Sequence, residues 1–137
     1  MTGGVRNVYA RDLSMNSPDL QAGHRVKSNS LRGGFVINTN VFRVQAGTVG
    51  GPLLLIDSNY SGQTGNYPPD LTDINLTGWT VSACKEVWTI GGEAGDPVGT
   101  VRLTDIAVTT ATGSNSAQYV SDLEVRDVTV SGAPVTP

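Results

Sequence analysis

Histidine and cysteine each occur once in the 137 residues, at His24 and Cys84, and this scarcity excludes several kinds of chemistry at the outset. A lone cysteine forms no internal disulfide. Cys84 follows the apolar-patterned Val81-Ser82-Ala83, the setting of a buried, inert thiol. No His, Cys, Asp and Glu cluster at ligand spacing is visible, so no metal is predicted. No cofactor is predicted either. Gly-rich stretches such as 91–95 lack a following helix pattern and read as loops, not as phosphate cradles. Runs of roughly 18 apolar residues are absent, so no membrane-spanning helix and no membrane partner are expected. Only 15% of residues are charged and the net charge is −3, which argues against a nucleic-acid partner. No signal-peptide pattern opens the chain, and localisation stays open. Met1-Thr2-Gly3-Gly4 runs straight into patterned sequence, the start expected of an excised domain or a truncated gene.

What the chain does have is Gly, Ser, Thr, Asn and Val in abundance, the composition of short strands joined by tight turns. A repeat underlies it. Five segments share one template: an apolar pair at alternate positions, two other residues, then a second apolar pair. They are Val8-x-Ala10-x-x-Leu13-x-Met15, Thr39-x-Val41-x-x-Val44-x-Ala46, Ile74-x-Leu76-x-x-Trp79-x-Val81, Val101-x-Leu103-x-x-Ile106-x-Val108 and Leu123-x-Val125-x-x-Val128-x-Val130. Within each pair the period is two, so both side chains face one side of a strand. The two-residue interruption is where the strand must bend. The residues before the templates are Asn7, Asn38, Asp73, Thr100 and Asp122, mostly types that tolerate left-handed φ and suit turns.

Taking those residues as markers, the template recurs after 31, 35, 27 and 22 residues. A fixed template at variable spacing describes the coils of a solenoid whose loops differ in length. Secondary strands are expected between templates at 24–28, 53–57 and 87–90, with a loop at 61–69. A β-sandwich also alternates, but it signals hairpins every 8–12 residues, a spacing that these intervals do not match. The expected fold is therefore all-β: one right-handed parallel β-helix of about five coils, a single domain over residues 1–137. Charge is uneven along it. Residues 1–43 carry Arg6, Arg11, Arg25, Lys27, Arg32 and Arg43 against Asp12 and Asp19, whereas the remainder is acidic. A basic end on an acidic chain suggests an anionic ligand in the N-terminal third.

One order of segments is specific. Gly4-Val-Arg-Asn-Val-Tyr-Ala-Arg-Asp12 is followed by Gly23-His-Arg-Val-Lys-Ser-Asn29, Gly33-Gly-Phe-Val-Ile-Asn38, Pro52-Leu-Leu-Leu-Ile-Asp-Ser-Asn-Tyr60 and Leu71-Thr-Asp-Ile-Asn-Leu-Thr-Gly78. From about residue 3 to 132 this order resembles the C-terminal half of polygalacturonases, the pectin-degrading enzymes of glycoside hydrolase family 28. Arg25-Val26-Lys27 resembles the family's Arg-Ile-Lys motif. The resemblance implies that Arg25 and Lys27 bind the carboxylate of galacturonate and that Tyr60 lines the same subsite. The chemistry is consistent with this. Residues two apart on a strand share a face, a guanidinium grips a carboxylate with two hydrogen bonds, and an ammonium adds a point charge. The family's catalytic Asn-Thr-Asp, Asp-Asp and Gly-His-Gly motifs have no counterpart here, so no catalytic residue is assigned and hydrolysis by this chain is not expected. Polygalacturonases are typically secreted or periplasmic, which is what the resemblance implies for localisation.

His24 and Asp57 are weaker candidates. His24 faces away from Arg25 on a strand and reads as a half-buried structural histidine rather than a general base. Asp57 ends a strand near Tyr60 and reads as a turn former. Asp105 and Asp127 fall in template bends. Two sequons, at Asn59 and Asn75, are too common by chance to decide localisation. Three readings follow: the substrate-binding part of a pectin-degrading enzyme, a small protein working through His24 and Asp57, or a carbohydrate-binding or structural module. Whichever holds, the first coil has no covering coil. Val8, Ala10, Leu13 and Met15 would lie at the open end of the apolar column, which predicts a homo-oligomer formed through that coil.

Overall fold

A computed structural model describes residues 3–137. Met1 and Thr2, half of the segment expected to leave the first coil uncovered, lie outside the described residues. The five templates become five long strands: β1 (Gly4–Ser17), β3 (Phe35–Val49), β5 (Asp70–Cys84), β7 (Val98–Ala111) and β9 (Val120–Val130). They lie side by side in that order, each parallel to the next. Four short strands form a second parallel sheet: β2 (His24–Lys27), β4 (Leu54–Asp57), β6 (Trp88–Gly91) and β8 (Ser116–Gln118). The chain alternates between the sheets, so it winds as a parallel β-solenoid. Four strands in the second sheet make about four complete turns where about five coils were expected. The fifth long strand has no companion there and is instead followed by β10 (Ala133–Pro134), folded back antiparallel onto it.

Register explains the repeat. Leu13 pairs with Val44, Val44 with Trp79, Trp79 with Ile106 and Ile106 with Val128. Apolar pairs from successive coils thus stack into columns facing one interior. Ile74, Leu76, Trp79, Val81, Val101, Leu103, Ile106 and Val108 are all buried there. The interruption bends each strand by one left-handed residue, and these residues stack as well: Asp12, Arg43, Gly78, Asp105 and Asp127, all with φ between 55° and 69°. Asp residues and Gly78 suit that conformation. Arg43 does not by type, but Asp12 holds its guanidinium at 2.9 Å through both Nε and Nη2. Asn7, Asn38 and Asp73 open the first three long-strand templates with a second left-handed corner; Thr100 and Asp122 do not.

Polar side chains form their own ladder on the outer surface. Asn38 Nδ2 donates to Asn7 Oδ1 at 2.9 Å, Asn40 Nδ2 to Asn38 Oδ1 at 2.9 Å, and Asn75 Nδ2 to Asn40 Oδ1 at 3.1 Å. Arg102 continues it, reaching Asp73 and Asn75 at 3.3 Å and Glu124 at 3.1 Å.

The two ends differ. At one end β10 covers part of the β9 edge with a segment containing Pro134 and Pro137, which offer no N–H to a further strand. At the other end β1 has β3 as its neighbour, and among the described residues no strand pairs its opposite edge. Val8 and Leu13 are 38% and 37% exposed there, although Val101 and Ile106, which stand at the same positions of a later coil, are 0% and 1% exposed. Position within one column therefore sets the worth of a side chain. Replacing Ile106 by Ala is expected to cost about 2–5 kcal/mol. Replacing Leu13 by Ala should cost less than about 1.5 kcal/mol, because much of its area remains in water. Urea denaturation at dilute protein checks the difference.

Candidate functional site

The site begins at a glycine. A Cβ on Gly23 would lie 2.8 Å from both the Leu53 carbonyl oxygen and the Trp79 ring, so only glycine lets the chain pass this close to the core. Directly after it, His24 N donates to Leu53 O at 2.7 Å and β2 starts. Alternation along β2 then turns Val26 and His24 inward and leaves Arg25 and Lys27 exposed on the outer face. The strand ends in a tight turn. Ser28 Oγ donates to Gly33 O at 2.7 Å, and the buried Asn29 accepts from Arg32 N at 2.9 Å through its side chain.

That turn also anchors Tyr60. Tyr60 N donates to Ser28 O at 3.0 Å, and Tyr60 O accepts from Asn29 Nδ2 at 2.9 Å. Tyr60 opens a single 3-10 turn, Tyr60–Gly62, whose central Ser61 has φ 64°. Held at both ends of its peptide unit, the residue sets its ring beneath the two cations. The Lys27 ammonium is 4.2 Å from the ring centroid and the Arg25 guanidinium carbon 5.6 Å. Lys27, by hydrogen bonding and by its charge, holds the Tyr60 phenol below its ordinary value; Ser61 and Arg25 add to this and slight desolvation opposes it.

Cations on the long-strand sheet are used structurally. Arg43 is paired with Asp12, and Arg102 with Asp73 and Glu124. Arg25 donates to the neutral Gln21 Oε1 at 2.6 Å. Among the described residues neither Arg25 nor Lys27 forms an ion pair with a carboxylate.

His24 and Asp57 do not converge. His24 points inward, where its Nε2 is 3.2 Å from Thr39 Oγ1 and burial lowers its pKa. Asp57 pairs in register with Lys27 and faces outward, on the side opposite to His24. Its Oδ1 accepts from Asn59 N at 2.9 Å, the signature of a turn former. Asp105 and Asp127 occupy the left-handed bends. The Cys84 thiol is buried, and desolvation followed by the Glu86 charge pushes its pKa up to about 11, so it is not a nucleophile at neutral pH. The Asp96 carboxyl is also raised, first by desolvation and then by Asp70 and Glu93. Among the described residues no group of three or more His, Cys, Asp or Glu converges as metal ligands would.

Sequence reasoning missed the neighbours of this cluster. Gln21, Thr89, Gly91, Ser116 and Gln118 share its face or its edge, but none carries a motif. Strand β8 escaped because Ser116-Ala117-Gln118 has no apolar alternation. The spacing of the short strands held the available signal: once β2, β4 and β6 are aligned, a further rung follows.

Comparison with known proteins does not extend this picture: no protein-family model matches the chain, and no curated protein sequence matches it significantly.

His24 generates a pH prediction. Its folded pKa lies below the unfolded value of 6.5, so the fold favours the neutral ring. The associated stability is present in full above pH 6.5 and is lost as pH falls through the folded pKa. Wild type is expected to lose stability between pH 6.5 and the carboxylate range. His24→Asn, which keeps a polar partner for Thr39, should flatten that part of the profile. Thermal melts across the range measure it.

Proposed function

We propose that the chain is a carbohydrate-binding solenoid that takes a galacturonate-type anionic sugar at Arg25, Lys27 and Tyr60 without hydrolysing it. One observation carries the reading: two cations that pair with no carboxylate among the described residues project from one strand face above the ring of a tyrosine whose backbone is held by hydrogen bonds to Ser28 and Asn29. A carboxylate between them gains charge-assisted hydrogen bonds from both, and the aromatic surface offers the apolar side of a sugar ring a contact. The resemblance of Arg25-Val26-Lys27 to the polygalacturonase Arg-Ile-Lys motif points to the same ligand class. Hydrolysis with inversion requires two carboxyl groups about 6.5–9.5 Å apart, flanking the bond. The outward positions of this sheet supply one, Asp57, which is engaged in a turn.

Calorimetry with galacturonate oligomers tests the proposal. Saturable, salt-sensitive binding is expected, and Lys27→Ala or Arg25→Ala should each weaken it about five- to tenfold, corresponding to about 1–1.4 kcal/mol. No new reducing ends should appear on polygalacturonate. Absence of binding at millimolar ligand would overturn the reading, and so would turnover that Arg25→Ala abolishes.

A second reading, a self-assembling structural module, is favoured by the difference between the two solenoid ends. The unpaired edge of β1 presents Val5, Val8, Tyr9 and Leu13 to solvent, while β10 and its prolines obstruct the opposite end. A head-to-tail stack needs both ends; pairing of β1 with β1 of a second copy needs only the open one and closes as a two-fold dimer. Light scattering should then give a dimer at micromolar protein that Leu13→Glu converts to monomer or insoluble chain. A clean monomer across that range would refute self-assembly.

A further inference from the structure

The outer face of the short-strand sheet extends well beyond Arg25 and Lys27. Register places Arg25 beside Leu55, Leu55 beside Thr89 and Thr89 beside Ser116. The parallel column is Lys27, Asp57, Gly91 and Gln118. Leu55, Asp57, Thr89, Gly91, Ser116 and Gln118 line a shallow groove of about 370 Å³ between these columns. Gly91 keeps it open: a Cβ there would meet nothing nearer than Ile56 O at 3.8 Å, so the space between Asp57 and Gln118 is unfilled. With rungs roughly 4.8 Å apart, the groove and the cation pair together run roughly 14 Å along the solenoid axis, enough for a short oligosaccharide.

The charge along this path is not uniform. The first rung carries two cations. The second carries the Asp57 carboxylate, whose Oδ1 faces Asn59 N and whose Oδ2 has no hydrogen bond among the described residues. The third and fourth present outward only the neutral Thr89, Ser116 and Gln118, although the Thr89 hydroxyl donates to the buried Glu86 carboxylate at 2.7 Å.

We infer that the ligand chain runs down this face along the solenoid axis, and that Asp57 is a specificity determinant confining the acidic sugar to the Arg25–Lys27 end. The inference rests on the proposed anionic-sugar site. A hydroxyl of a neutral or esterified second residue donates to Asp57; a second free uronate carboxylate meets a like charge at close range. Acidic–neutral or largely esterified glycans are therefore preferred over fully ionised polygalacturonate.

Three probes decide it by calorimetry at low salt: monomeric galacturonate, fully ionised trigalacturonate, and trigalacturonate methyl-esterified at all but one terminal residue. Wild type should bind the singly charged trimer about three- to tenfold more tightly than the fully ionised one. Asp57→Asn preserves the acceptor for Asn59 N and should bring that ratio near one. Gln118→Ala should weaken trimer binding relative to the monomer about threefold, because only the trimer extends that far. Equal or tighter wild-type binding of the fully ionised trimer would overturn the inference, as would a ratio unmoved by Asp57→Asn or by Gln118→Ala. If Lys27→Ala leaves monomer and trimer affinities unchanged, the anionic-sugar site itself fails, and the inference falls with it.

Discussion

Stacking of the left-handed bend is the constraint on which everything else depends. Each long strand turns at one residue, and the five turning residues lie directly above one another. Were one coil to turn a residue earlier, its two apolar pairs would point away from the interior while its neighbours' pointed in. Backbone hydrogen bonds between parallel strands and the apolar columns thus enforce the same register. That agreement lets Asp12, Arg43, Gly78, Asp105 and Asp127 share one position despite their different chemistry. Where the residue type suits the conformation poorly, as at Arg43, a neighbouring rung supplies an ion pair.

Fixing the bend leaves the connecting segments free. Template spacing varies from 22 to 35 residues because additional residues leave the solenoid as loops instead of shifting a strand. The candidate site uses this freedom. The cations stand on a rigid four-residue strand, and the aromatic partner comes from a loop of the next coil. One backbone hydrogen bond, to Ser28, and one from the Asn29 side chain tie that loop to the turn after β2, so the site combines the precision of a strand with the reach of a loop.

The outer surface carries two kinds of polarity. On the long-strand sheet, asparagines, Arg102 and Glu124 satisfy one another in a ladder that supports the stack. On the short-strand sheet, Arg25, Lys27 and Asp57 lie in neighbouring rungs without an ion pair among them. A surface engaged with itself has little left for a ligand, and this contrast separates the structural face from the candidate binding face.

The repeat, the inward-facing residues, the bends and, to within a residue or so at each end, the short strands expected at 24–28, 53–57 and 87–90 were legible in the sequence, because alternation of apolar residues is a local signal set by the strand period. The opposed orientations of His24 and Arg25 followed from the same period. Tertiary structure alone decided the rest. It set Lys27 beside Asp57, gave Tyr60, expected at the same subsite only through a resemblance, its place beneath both cations, added β8 as a fourth rung and folded β10 back over β9. These features lie on polar faces and chain ends, where no hydrophobic period marks the register. The rung that meets each side chain depends on loop lengths and on hydrogen bonds formed only after the coils have stacked.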